Sequence, residues 1–252
     1  MRPIGFSTGA LAHADFRRGL AMTRAAGCPA VELSALRQPE LFPMLDALDS
    51  LDLTGFQYIS IHAPSQMTPE FEQAACERLL AERWRNWPIV IHPDAITAFA
   101  LWRRFGSLLC VENMDKRKAI GRTARELNLI FQQLPEASLC FDIGHVRQVD
   151  PTMTESYLIL RDHGARLRQV HISEVSTNNR HNRLSMLSIM AMPAAAHRIP
   201  ADVPLIIESP VTQAEMADEI GRARRALPLE PVPLHEQGDA RIDSCAVCHP
   251  GA

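Results

Sequence analysis

Leu139-Cys140-Phe141-Asp142-Ile143-Gly144-His145 reads as a short buried strand that ends on a carboxylate, followed by a tight turn and an imidazole. Other short apolar runs end in the same way, on His62, His92, Glu112, His171 and Glu208, with Glu32 as a weaker instance. One hydrophobic run capped by a ligand-type residue carries little information. A series of them describes a ring of strands that aims nitrogen and oxygen donors at a common point.

Outward from that stretch, strand-like and helix-like runs alternate eight times. Strands are expected at 3–7, 30–33, 58–62, 88–92, 108–112, 139–142, 167–172 and 203–208. They are short, continuous and rich in Ile, Val and Leu, as parallel strands buried on both faces must be. Helical periodicity fills 16–26, 41–48, 69–83, 95–104, 123–134, 152–163, 184–197 and 212–226, with Pro69 and Pro151 near helix starts, where a missing N–H costs nothing. Eight βα units in a row predict an α/β protein, a closed (β/α)8 TIM barrel, and a chain of 252 residues matches the roughly 250 such a barrel needs. A doubly wound sheet is the rival architecture. It is weakened because no Gly-rich phosphate fingerprint follows the first strand.

Two segments are therefore expected: a barrel domain over 1–226 and a tail over 227–252. The tail opens on the proline-spaced Leu227-Pro228-Leu229-Glu230-Pro231-Val232-Pro233-Leu234, which cannot continue a helix. It ends on Cys245-Ala246-Val247-Cys248-His249, a C-x-x-C-H pattern. The readings open to that pattern are haem attachment, a thiol pair or metal clip, and an extended or disordered tail that happens to carry thiols.

Bulk properties narrow the class. Apolar content of 46% with 22% charged residues suits a globular protein with a sizeable core, and six cysteines are too few for a disulfide scaffold. Cys110 and Cys140, two residues before Glu112 and Asp142, should fill the barrel interior. A net charge of −3 gives no electrostatic footprint for nucleic acid or an anionic membrane. Neither a signal-peptide pattern nor a run of ~20 apolar residues is seen, so a cytoplasmic address without membrane association is expected.

In a (β/α)8 barrel the functional face lies where strands end and βα loops begin. Six consecutive strands, the third to the eighth, end there on His62, His92, Glu112, Asp142, His171 and Glu208. Burying so many ionisable groups together is costly unless a cation pairs with them, so metal binding is the first chemical expectation. Mixed imidazole and carboxylate donors suit Zn, Mn or Fe.

The set resembles the xylose isomerase-like barrel superfamily, the group of endonuclease IV and the sugar or sugar-phosphate isomerases and epimerases. The resemblance spans about 2–226. By its endonuclease IV branch it implies two to three divalent transition-metal ions: one held by His62, His92 and Glu112, a second by Glu112, Asp142, His171 and Glu208, and a third by His145 and His181. That branch completes the third site with an Asp in an Asp-Arg-His triplet, where this chain has Asn179-Arg180-His181. Water activated to hydroxide by the ions would then attack a phosphoester. The single-metal isomerase or epimerase branch implies only Glu112, Asp142, His171 and Glu208 as ligands. There Glu112 and Glu208 double as acid and base, while His145 and Arg180 or Arg183 grip substrate hydroxyls. His62, His92 and His181 are surplus to that chemistry, which favours the multi-metal hydrolase. Multinuclear iron oxidases that modify Cys-containing peptides resemble the same layout and form a further alternative.

A small phosphorylated or polyhydroxylated substrate is expected. Nucleic acid stays open but is disfavoured, because a duplex reader needs long loops to grip and bend the helix. Among lesser features, Glu32 is expected as a partner of a ligand or of substrate, and Arg37, Arg117 and Lys118 as contacts for an anion or as solvated charges. His13, His163, His197 and His235 are expected at the surface, and Trp84, Trp87 and Trp102 in packing outside the barrel.

Overall fold

The computed structural model describes residues 2–229, so the C-x-x-C-H pattern of Cys245, Cys248 and His249, and His235, lie outside the described residues. Eight parallel strands close into a barrel: β1 (Ile4–Ser7), β2 (Ala30–Ser34), β3 (Tyr58–His62), β4 (Ile89–Ile91), β5 (Leu109–Glu112), β6 (Ser138–Asp142), β7 (Leu167–Ile172) and β10 (Leu205–Ile207). Each neighbours the next in sequence, and β10 pairs with both β7 and β1. Helices α1 (Thr8–Ala12), α2 (Phe16–Ala25), α3 (Gln38–Ala47), α4 (Pro69–Ala81), α5 (Phe99–Trp102), α6 (Ala124–Gln133), α7 (Ile143–Val149), α8 (Thr154–His163), α9 (Met186–Ala191), α10 (Pro193–Ala196) and α11 (Met216–Ala226) accompany them. A two-residue antiparallel hairpin, β8 (Glu174–Val175) with β9 (His181–Asn182), rises from the loop after β7.

Strand alternation sorts side chains into two cores. Leu139 and Phe141 face outward with Val111, Ile91, Ile61, Leu33 and Ile172 into the large apolar core. The residues between them face inward, where Val90, Cys110 and Cys140 form a separate small cluster. One pleat further along the same inward rows stand the residues of the barrel mouth, since positions two apart share a face.

Local differences from the expected helices have chemical causes. The run 95–104 is not one helix: a 3₁₀ turn at Pro93–Ala95 precedes the short α5, and Gly106 at φ 57° bends the chain back. The run 184–197 divides into α9 and α10 at Pro193, which has no N–H to continue the first helix. Two further corrections concern side chains. His163 is buried, with Nε2 3.1 Å from the Ala124 carbonyl. Trp84, expected in packing outside the barrel, is exposed, whereas Trp102 packs there as expected, fully buried and donating from Nε1 to Glu72 at 2.7 Å.

β1 and β2 approach so closely that a Cβ on Gly5 would lie 1.7 Å from the Ala30 carbonyl oxygen. Backbone cannot retreat as a side-chain tip can, so G5A should cost about 3 kcal/mol or more. In a chain of this size that is a fall in Tm of roughly 6–12 °C, or failure to fold. G164A, at a glycine with open space around it, should stay within ~1 kcal/mol of the parent in the same thermal melts.

Candidate metal centre

At the C-terminal mouth of the barrel, Glu112 stands at the centre, 1% exposed, at the end of β5. His62 Nε2 lies 3.1 Å and His92 Nε2 3.4 Å from its Oε2. His145 Nδ1 lies 3.2 Å and His171 Nδ1 3.6 Å from its Oε1. The His62 and His171 rings stack with centroids 6.0 Å apart, and His62 meets His92 edge-on at 5.1 Å. Residues separated by more than a hundred positions thus converge on one carboxylate.

The elements explain these placements. His62 and Asp142 are the last residues of their strands, while His92 and Glu208 lie one residue beyond theirs. Asp142 also caps α7, its Oδ1 accepting from the His145 backbone N–H at 2.7 Å, and so sets His145 one turn into the helix. Asn113 locks this corner: it exchanges two 2.8 Å hydrogen bonds with the Asp142 backbone, and its carbonyl lies 3.0 Å from His145 Nδ1. Asn113 was not among the expected site residues, and only its adjacency to Glu112 could have marked it.

Four donor groups have ligand atoms within 4.8 Å of one another: Glu112, Cys140 and His171; Glu32, His62 and Glu208; and the two that match the expected ion sites, His62, His92 and Glu112, then Glu112, Asp142, His171 and Glu208. Glu112 belongs to both of these last two. Asp142 Oδ2 and His171 Nδ1 are buried and have no hydrogen-bond partner among the described residues. Orphaned donors of this kind, in a mixed imidazole–carboxylate set, fit a divalent transition metal. His145 and His181 sit with ring centroids 5.5 Å apart, but neither belongs to any of these groups among the described residues. Asn179, in the left-handed region at φ 58°, turns its side-chain carbonyl to Gln148 Nε2 at 2.6 Å.

The two arginines part company. Arg180 lines a cavity of about 440 Å³ with His13, His181 and Glu208. Arg183, expected as a substrate contact, is held at the flank by Glu215 (2.7 Å), Asp218 (2.5 Å) and Glu219 (3.4 Å), so its charge is paired by α11 and the turn before it. On the other side of the mouth, a cavity of about 870 Å³ is lined by Arg37, Gln66, His92, Arg117 and Lys118. Each of its three cations is paired with a carboxylate of its own, Glu40, Asp115 and Asp94 respectively.

Electrostatics at the mouth are perturbed throughout. Burial opposes a charge on His62, but the hydrogen bond and charge of Glu112, with Glu32 behind, carry its pKa up to about 9. Burial is likewise outweighed at His145, where Asp142 and Glu112 raise it to about 10. Burial, with the charges of Glu112 and Asp142, pushes Glu208 up to about 8 against the pull of His171. His181 is driven the other way, by burial and by the positive charge of His145.

These shifts give the metal-free protein a definite pH response. Between the unfolded histidine value of 6.5 and the folded values of about 9 and 10, the folded chain holds protons that the unfolded chain has lost. The stability contributed by His62 and His145 is complete below pH 6.5 and disappears as pH rises through 9 and 10. Glu208, raised from 4.5, acts in the same direction between pH 4.5 and 8. Thermal melts of chelator-treated protein should therefore show Tm falling from pH 6.5 to pH 10. A flat or rising profile would contradict this charge arrangement.

No protein-family model and no curated protein matches the chain. Among solved structures, endonuclease IV from Thermus thermophilus superposes with a TM-score of 0.59 at 18% identity, covering 89% of this chain and 98% of that one. The apo form of 3-keto-D-glucoside 4-epimerase from E. coli gives a TM-score of 0.59 at 12% identity, covering 89% and 99%. At such identities the likeness speaks for architecture, and with the closed parallel barrel it shows that the chain has the (β/α)8 barrel fold of these two enzymes.

Proposed function

We propose that this chain is a two-metal hydrolase that cleaves a phosphoester in a small phosphorylated substrate. The observation that carries this reading is Glu112, shared by a histidine-rich donor group and a carboxylate-rich one. A single-ion isomerase has use for the second group only, and leaves His62 and His92 without a task. The donor types suit zinc, manganese or iron. Ions bound there would shift water toward hydroxide near neutral pH and offset the charge that develops on the phosphoryl group.

The chain's own residues supply the rest. His62 gives Nδ1–H to the Ala63 carbonyl at 2.7 Å, which turns Nε2 toward Glu112 and fixes the ring. His145 and His181 line the same cup as Glu112 and Glu208, where imidazole N–H groups can hold phosphate oxygens. Arg180 stands exposed at the rim beside Glu208, ready for an anionic group. The loops around the mouth are short apart from 113–123 and the one carrying β8 and β9, which favours a small phosphorylated or polyhydroxylated molecule over a nucleic acid duplex.

Glu208 favours a second reading. A carboxyl with its pKa near 8 can give and take a proton at neutral pH, as a sugar or sugar-phosphate isomerase or epimerase with Glu112 and Glu208 as acid and base would require. No observation on the described residues favours the iron-oxidase alternative.

Metal analysis of protein purified without chelator should give two transition-metal ions per chain. The double variant H62A/H92A should retain one ion and lose hydrolysis of bis(p-nitrophenyl) phosphate by roughly a thousandfold. One ion in the parent would transfer the case to the isomerase reading, particularly if H62A/H92A still exchanges a substrate C–H with solvent deuterium and E208Q does not.

A further inference from the structure

Glu32 is fully buried in the middle of β2, yet neither reading of the site uses it. Its Oε2 accepts from Ser60 Oγ at 3.1 Å and from Gln169 Nε2 at 2.7 Å, and lies 3.0 Å from His171 Nε2. Gln169 is itself oriented, because its Oε1 accepts from the Tyr58 hydroxyl at 2.5 Å and its amide nitrogen must then face Glu32. Side chains from two strands, β3 and β7, therefore direct buried hydrogen bonds at one carboxylate behind one imidazole. On the far side of that imidazole, Nδ1 has no hydrogen-bond partner among the described residues and stands 3.6 Å from Glu112 Oε1 and 3.5 Å from Glu208 Oε1.

We infer that Glu32 is the positioning residue of His171: it keeps the proton on Nε2 and so leaves the Nδ1 lone pair for an ion shared with Glu112, Asp142 and Glu208. The inference rests on the metal reading above. The rival tautomer has the Nε2 lone pair accepting from Gln169, whose Nε2 is 2.7 Å away. That arrangement sets a lone pair against the Glu32 carboxylate 3.0 Å off, deep in the barrel. A hydrogen bond to an ionised acceptor is roughly twice as strong as a neutral one, so the carboxylate decides the tautomer. Glu32 is close enough to His62 and Glu208 to be considered a ligand itself, and the test separates the two roles.

The full chain, stripped with chelator, is titrated with cobalt(II) and followed by visible absorption, and ¹⁵N-histidine spectra are recorded on the zinc form. The expected spectrum shows His171 protonated on Nε2 and metal-bound through Nδ1. E32A should weaken one cobalt ion by about 10- to 100-fold and leave the other unchanged, with E32Q, which keeps a neutral acceptor, falling between. Ligation of His171 through Nε2 overturns the inference. So does E32Q as damaging as E32A, the mark of a direct ligand, or parallel loss of both ions together with Tm. Should E32A not fold, E32Q and the parent spectrum still decide. A parent that binds only one ion, weakened in E32A, upholds Glu32 while removing the two-metal hydrolase; a parent that binds none overturns both.

Discussion

One buried charge governs the mouth of this barrel, the carboxylate of Glu112. Four imidazoles approach within 3.1 to 3.6 Å of its two oxygens, and the group is 1% exposed. An isolated ion in such a place costs several kcal/mol after relaxation. The imidazoles make the burial tolerable by holding Glu112 ionised, its pKa well below the usual carboxylate range despite the opposing effect of burial. Their own elevated values at His62 and His145 are the other side of the same interaction. Removing Glu112 would leave three or four basic groups facing one another with nothing between them.

Parallel strand topology makes such a convergence possible. Every strand of the barrel runs the same way, so every strand end opens onto one face, and inward rows alternate with outward ones along each strand. The inward row of β6 carries Cys140 and then Asp142; that of β5 carries Cys110 and then Glu112. On these two strands small thiol side chains lie below and ligand types above. Asp142 joins this row to the next element: as the last strand residue and the cap of α7, it fixes the His145 backbone while Asn113 holds the ring.

The fold and the ring were legible because both depend on local pattern. Apolar runs of strand length ending on His, Asp or Glu need no knowledge of distant contacts, and the regular βα alternation admits few topologies. What stayed hidden depends on partners remote in the chain. Arg183 looks like any loop arginine until α11 brings up Glu215, Asp218 and Glu219. His163 has the sequence surroundings of a surface histidine, and only the approach of Ala124 and Phe131 reveals it as buried. Gln169 sits two residues before His171, so its inward direction was readable, but its bonds to Tyr58 and Glu32 span 111 and 137 positions. The helix α7 and the hairpin β8–β9 escaped because each is too short to show a period.

Charge also bears on how many ions the cup suits. Four carboxylates face the interior of the mouth, Glu32, Glu112, Asp142 and Glu208, and two divalent ions match their four negative charges with every histidine neutral and ready to ligate. Without metal, protons take over this role, which is why His62 and His145 hold theirs so far above 6.5 and Glu208 holds its own to about 8. A third ion would bring two more positive charges, and the residue that could have met them is Asn179, neutral and bonded to Gln148. The nearest additional carboxylate, Asp115 in the same cup, is already bound in a fork by Arg117 at 3.0 to 3.1 Å from Nε. Displacing that guanidinium would expose a new positive charge beside the site and undo the gain. On the two-metal proposal, the asparagine therefore does more than weaken one ligand position: it leaves the cup's charge at a value that two ions would satisfy.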